Sequence, residues 1–99
     1  EWHTVSPQAF VLIEGVSAMR EEFKPFLALS IYVETDREIR FKRGLQRDGE
    51  ETREQWLGWM KYEDDYLERD DPISSADLII SGNPMSKYDS SKEIVVLCR

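Results

Sequence analysis

Arg40, Arg43 and Arg47 recur at i, i+3 and i+7 within residues 35–49. On a helix this spacing sets three guanidinium groups on one face and turns Phe41 and Leu45 roughly the other way. Arginine grips phosphate through paired N–H donors. One chemistry for such a row is a helix that closes over a polyphosphate. The other is a solvated helix face with Glu and Asp partners nearby. The background is acidic, with 13 Lys+Arg against 20 Asp+Glu and a net charge of -7. A cationic row in such a chain repels itself unless something anionic lies over it.

Glu14 is a second candidate. It follows the apolar run at residues 10–13 and precedes Gly15. An acid at a strand end holds magnesium through water or orients an attacking hydroxyl; it can equally cap the next turn. Arg53 stands in the first turn of a helix, where the helix dipole favours acids. That marks it as a second anion contact. Asp48 is expected to hold Arg47 or cap the following turn. Lys42 and Arg37 read as ordinary solvated charges. The acidic segment at residues 63–71 reads as a solvated face that pairs with the arginine helix when no ligand is present, each pair being weak.

Ninety-nine residues make one small domain, or part of a larger one. A pI near 4.7 argues against nucleic acid and membrane surfaces as partners, because both need a dominant basic patch. Only residues 37–47 are locally basic. One cysteine, Cys98, makes no internal disulfide and reads as a buried strand residue. With His3 as the sole histidine, Cys and His are too few for a zinc site. No apolar run approaches the ~18–20 residues of a membrane span, and the start lacks a signal-peptide pattern. The expected location is the cytoplasm.

The elements that must position these residues follow from pattern. Residues 1–8 read as loop. The run at 10–13 reads as a strand buried on both faces. A short helix is expected at 20–26, interrupted by Pro25, and a second buried strand at 27–33. Thr35 with Glu38 forms a capping-box pattern that starts the arginine helix. Gly44 weakens its middle by roughly 1 kcal/mol relative to Ala, and Asp48-Gly49 ends it. Thr52 with Gln55 repeats the box and opens another helix. There Trp56, Trp59, Met60, Tyr66 and Leu67 recur at helical spacing, which reads as core packing rather than a binding platform. Pro72 closes that helix. A third strand is expected at 76–80 and a fourth at 93–98. Strands alternating with helices predict an α/β domain with parallel neighbours, whose ligands lie beyond the carboxyl ends of the strands.

Five pieces stand in a familiar order: Val5-Ser-Pro7 leading into Phe10-Val-Leu-Ile-Glu-Gly-Val16, then Ile31-Tyr-Val33, Arg40-Phe-Lys-Arg43, Arg47-Asp48 and Ala76-Asp-Leu-Ile-Ile-Ser-Gly82. Over roughly residues 5–82 the chain resembles the C-terminal half of the uridine kinase and phosphoribulokinase-like family of P-loop kinases. The resemblance implies a partial three-layer P-loop kinase-like fold, a mostly parallel α/β sheet with flanking helices. It implies an ATP-dependent phosphotransferase acting on a nucleoside or similar small acceptor, with ATP and Mg2+ as cofactors. Arg40, Arg43 and Arg47 would be lid arginines acting in catalysis. Arg43 and Arg47, with Arg53 as a further contact, would bind the ATP phosphates. Glu14 would face the magnesium and the acceptor. Positioning and charge neutralisation supply most of the catalysis in phosphoryl transfer.

One departure matters. The family's phosphate loop, G-x-x-x-x-G-K-[ST], does not occur here; none of Gly15, Gly44, Gly49, Gly58 and Gly82 is followed by Lys. Residues 1–99 are therefore expected to be the C-terminal part of a kinase domain, with a lid-type arginine helix at about 35–49. The N-terminal phosphate-loop half would be absent and the piece inactive alone. The rival expectation is a non-catalytic interaction or regulatory domain that forms a homodimer through its uncovered sheet. A third is a small-anion binding module without turnover.

Overall fold

A computed structural model describes residues 1–97. The expected burial of Cys98 lies outside the described residues. The elements run in order from a 3₁₀ turn (Glu21–Phe26) to strand β1 (Ile31–Glu34) and helix α1 (Arg37–Asp48). A second 3₁₀ turn (Glu50–Thr52) leads to helix α2 (Arg53–Asp70), a single-turn helix α3 (Pro72–Ser75) and strand β2 (Leu78–Ser81). β1 and β2 pair in parallel, with Ile31 opposite Leu78 and Glu34 opposite Ser81. Parallel neighbours need a long crossover, and the three helices provide it. The expected small α/β domain is present, with a sheet of two strands among the described residues.

Side chains set the register at the start of both strands. The Asp77 carboxylate accepts from the Ser30 amide at 2.8 Å and from its hydroxyl at 3.1 Å, while Asp77 N–H donates to Ser30 Oγ at 3.1 Å. At the far end Gly82 N–H donates to Glu34 O at 2.8 Å. A Cβ at Gly82 would run into Thr35 Oγ1, so the two chain segments approach as only glycine allows. Met19, Ala76 and Ile79 form the buried core beside the sheet, with Leu27, Tyr32, Ile73 and Leu97 packed around them. The buried Asp70 docks the first 3₁₀ turn onto the end of α2. Its carboxylate accepts from Glu21 N–H at 3.2 Å, and its carbonyl accepts from Lys24 Nζ at 3.0 Å.

Several expectations need correction. Residues 10–13 form no strand, and Phe10 and Leu12 are 94% and 89% exposed. An apolar run states what a segment would bury; it supplies neither the ladder partner nor the covering layer that a strand requires. β1 begins at Ile31 rather than at 27, because Leu27 belongs to the core beside the sheet. The segment expected as a fourth strand contributes an antiparallel bridge between Ile80 and Val96. Ser81 N–H donates there to Val95 O, and Leu97 N–H to Ile79 O, both at 2.8 Å.

Neither capping box forms. α1 starts from Asp36 and α2 from Thr52, each without a side-chain cap bond. The Thr52 hydroxyl instead donates back to Gly49 O at 2.6 Å. Thr35 Oγ1 sits against Gly82. Both hydroxyls meet the turns between elements rather than helix amides.

Candidate functional site

α1 and α2 fold into a hairpin. Gly49, at φ 101°, ends α1, and its N–H closes onto Leu45 O at 2.8 Å. Gly44 is the one buried residue of α1. A Cβ there would lie 2.6 Å from the Trp56 ring of α2. The glycine that looks like a weak spot in the sequence is what admits the indole.

An open pocket of about 340 Å³ lies between the two helices. Arg40, Arg43 and Arg47 line it from α1, facing Trp56, Trp59, Met60 and Glu63 from α2. The structure thus brings the three spaced arginines together. Each is held differently. Arg40 Nη1 lies 2.8 Å from Glu63 Oε1, with both side chains mostly covered. Arg40 Nε is buried with no acceptor, and Nη1, buried beside the Glu63 carboxylate, meets it in an alignment short of a hydrogen bond. Leaving such donors unsatisfied costs on the order of 1–3 kcal/mol. Arg43 donates from Nη1 to Gly82 O at 2.9 Å and from Nη2 to Asn83 Oδ1 at 3.0 Å. These two neutral acceptors follow directly on β2, so Arg43 reaches the carboxyl end of that strand. Arg47 binds the Asp48 carboxylate through Nε and Nη2 at 2.8 and 3.0 Å. Its guanidinium lies over the Trp56 ring at 5.6 Å. Asp48 also accepts from Trp56 Nε1 at 3.0 Å. Arg47 first, and Trp56 after it, hold the Asp48 carboxyl below the usual aspartate range.

Two of the three arginines therefore have acid partners, and all three share one pocket. Glu63 and, beside the pocket, Asp64 supply acids to α1, as expected of the acidic segment; Asp64 pairs with Arg37 at 3.0 Å. Arg53 stands apart. Its Nε donates to Glu50 Oε1 at 2.6 Å and its guanidinium lies over Phe41 at 5.3 Å. Those contacts account for a cation in the first turn of a helix without any ligand. Glu14 is exposed, in the irregular stretch before Gly15, and does not line the pocket.

Sequence reasoning missed two parts of this site. Trp59 was expected in the core, yet it is 42% exposed. It meets Trp56 edge to face at 5.4 Å between ring centroids and 73° between planes. Gly44 was read only for its helix propensity. Its place among three same-face arginines was the available signal that something large approaches that face.

The donor set fits an anion such as phosphate: three guanidinium groups line the pocket, and the bonds of Arg43 go to neutral oxygens. It does not fit magnesium. The carboxylate lining the pocket, Glu63, is held by Arg40. Among the described residues no group of three or more His, Cys, Asp and Glu could hold a metal ion. The chemistry open to this pocket is anion binding and charge neutralisation. Among the described residues no helix is long and apolar enough to cross a membrane. The chain matches no protein-family model, no curated protein and no solved structure.

Proposed function

We propose that this chain carries the phosphate-gripping part of an ATP-dependent phosphotransferase that acts on a nucleoside, in the manner of the uridine kinase-like family it resembles. The observation that supports this is the convergence of Arg40, Arg43 and Arg47 on one pocket, with Arg43 also bonded to the residue that follows β2. Ligands of parallel α/β sheets lie beyond the carboxyl ends of the strands, and arginine forks match phosphate oxygens. Arg43 is the principal contact, because its bonds to neutral oxygens leave its charge free to meet an anion. Arg40 and Arg47 exchange Glu63 and Asp48 for phosphate at lower gain. With no Gly-rich phosphate loop in its 99 residues, the chain binds ATP without turning it over.

Titration calorimetry with ATP tests this. Binding is expected, weakening with added salt, and Arg43→Ala should lower affinity about tenfold or more, as for a lost hydrogen bond to a charged group. A wild-type chain that takes up neither ATP nor inorganic phosphate at millimolar concentration overturns it.

A second reading is a non-catalytic interaction domain that self-associates. It is favoured by the outer edge of β1, which has no neighbour among the described residues, with Ile31 and Val33 about half exposed. The run at 10–13 is exposed as well. Sedimentation that gives a dimer, dissociated by Phe10→Ser with Leu12→Ser, would favour this reading over the first.

A further inference from the structure

We infer that Asn83, just past the end of β2, is the residue that keeps Arg43 open to an anion: its neutral amide oxygen orients the guanidinium without cancelling its charge. The inference rests on the anion-binding reading above and deepens it, by assigning a positioning residue that lies outside the pocket lining.

The three arginines of the pocket differ in what holds them. Arg40 faces the Glu63 carboxylate and Arg47 the Asp48 carboxylate. An incoming anion must displace those acids. Arg43 meets neutral oxygens instead, the Gly82 carbonyl at 2.9 Å and Asn83 Oδ1 at 3.0 Å. A guanidinium carries five N–H donors in one plane. One on each Nη is taken, which fixes that plane, and among the described residues Nε and the second N–H of each Nη stay open to a ligand.

Both acceptors are themselves held. Gly82 N–H donates across the sheet to Glu34 O at 2.8 Å, and Asn83 N–H donates to Ser81 Oγ at 3.2 Å. Thr35 Oγ1 packs against Gly82. The ends of β1 and β2 therefore set where Asn83 stands, and Asn83 with Gly82 sets where the guanidinium points. A long side chain ordered in advance gains about two- to tenfold in affinity over one that must be ordered by its ligand.

The choice of amide over acid at residue 83 decides the charge of the site. Aspartate has the shape of asparagine and would accept the same Nη2 hydrogen bond. It would also give Arg43 a carboxylate partner, as Arg40 and Arg47 already have, and leave the pocket no unopposed cation. In a chain of net charge -7, a neutral acceptor here is what leaves one guanidinium charge uncancelled.

Titration calorimetry of the 99-residue chain with inorganic phosphate, alongside thermal melts without ligand, tests this. Asn83→Ala should bind about two- to tenfold more weakly, since Arg43 loses an anchor. Asn83→Asp should bind more weakly still, by about tenfold or more, since the new carboxylate pairs with Arg43 and repels the anion. Stability should follow a different order: Asn83→Asp melts no lower than the wild type, and Asn83→Ala melts lowest. A merely structural residue would give one order for both readouts. In an Arg43→Ala background, Asn83→Asp should leave the melt unchanged; a shift there would mean that the acid acts on some other group, and would overturn the inference. If the wild type binds phosphate and Asn83→Asp binds it equally well, the inference fails and the anion pocket stands. If affinity and midpoint fall together in both variants, Asn83 is structural and the inference fails. If the wild type takes up no phosphate, the anion reading falls and this one with it. Should Asn83→Ala not fold, Asn83→Asp, equal in shape, decides.

Discussion

The α1–α2 hairpin and the sheet flank spend their side chains in opposite ways. In the hairpin, arginines find carboxylates or carbonyls, and indoles find a glycine, a guanidinium and each other. Outside it, Ile31 and Val33 of β1 are about half exposed, and Phe10 and Leu12 of the preceding stretch stand largely in solvent. The hairpin is the more polar of the two in composition, yet it is the region whose side chains find partners. The backbones explain this. A helix satisfies its own N–H and C=O groups, and a short turn brings the next helix back on it. A strand needs a neighbour for its ladder and a layer for each face. The hairpin completes itself from local sequence; the flank depends on whatever covers it.

The sharpest attack on that contrast is Gly44→Ala. Helix propensity alone predicts a gain of about 1 kcal/mol. The Trp56 ring, 2.6 Å from the new Cβ, makes overpacking the larger effect, at about 1–3 kcal/mol. A net loss is expected in urea denaturation. Combining the change with Trp56→Ala removes the obstacle, and adding the methyl should then become neutral or favourable. A stabilised Gly44→Ala in the wild-type background would show that the helices are not held at this distance.

Acid comes next. Arg47, Arg37 and Arg69 hold Asp48, Asp64 and Asp70 respectively below the ordinary aspartate value of 3.8. A depressed carboxyl adds stability that is fully present above its unfolded pKa and is lost as pH falls through the folded one. Thermal midpoints should hold down to about pH 4 and then drop. In Asp70→Asn part of that slope should vanish, because the buried group no longer titrates. A midpoint indifferent to acid would mean that the ion pairs form equally in the unfolded chain.

The smallest effect is expected on the flank. Phe10→Ser with Leu12→Ser alters residues that are almost wholly exposed, so stability should change by no more than about 0.5 kcal/mol. A larger loss would show that the segment packs after all and would erase the difference between the two regions.

Much of the element order is legible in pattern. The arginine helix ends at Gly49, α2 stops before Pro72, and β1 and β2 run parallel as the alternation of strands and helices predicts. These signals are local: a glycine that adopts positive φ, a proline that cannot continue a helix, two apolar runs separated by a crossover. Capping boxes are local in spacing but not in outcome. Each hydroxyl had a second backbone neighbour, at Gly49 for Thr52 and at Gly82 for Thr35. The run at 10–13 misled for a related reason, since hydrophobicity is a demand for partners and not a record of them. Of the site, the arginine triplet was legible because 3.6-residue periodicity places it on one face. Trp59 was not, because the same periodicity fits a buried indole and a half-open one.

By itself, the order of residues determined that three guanidinium groups would share a helix face and that acids would follow within reach, because helical geometry converts spacing directly into direction. Tertiary structure decided the rest: that Gly44 would seat Trp56, that Arg43 would anchor to the end of β2 while Arg53 turned to Phe41, and that Trp59 would be left on the wall of a pocket. Those outcomes depend on how closely two helices approach, and that distance is set by which side chains must fit between them at once.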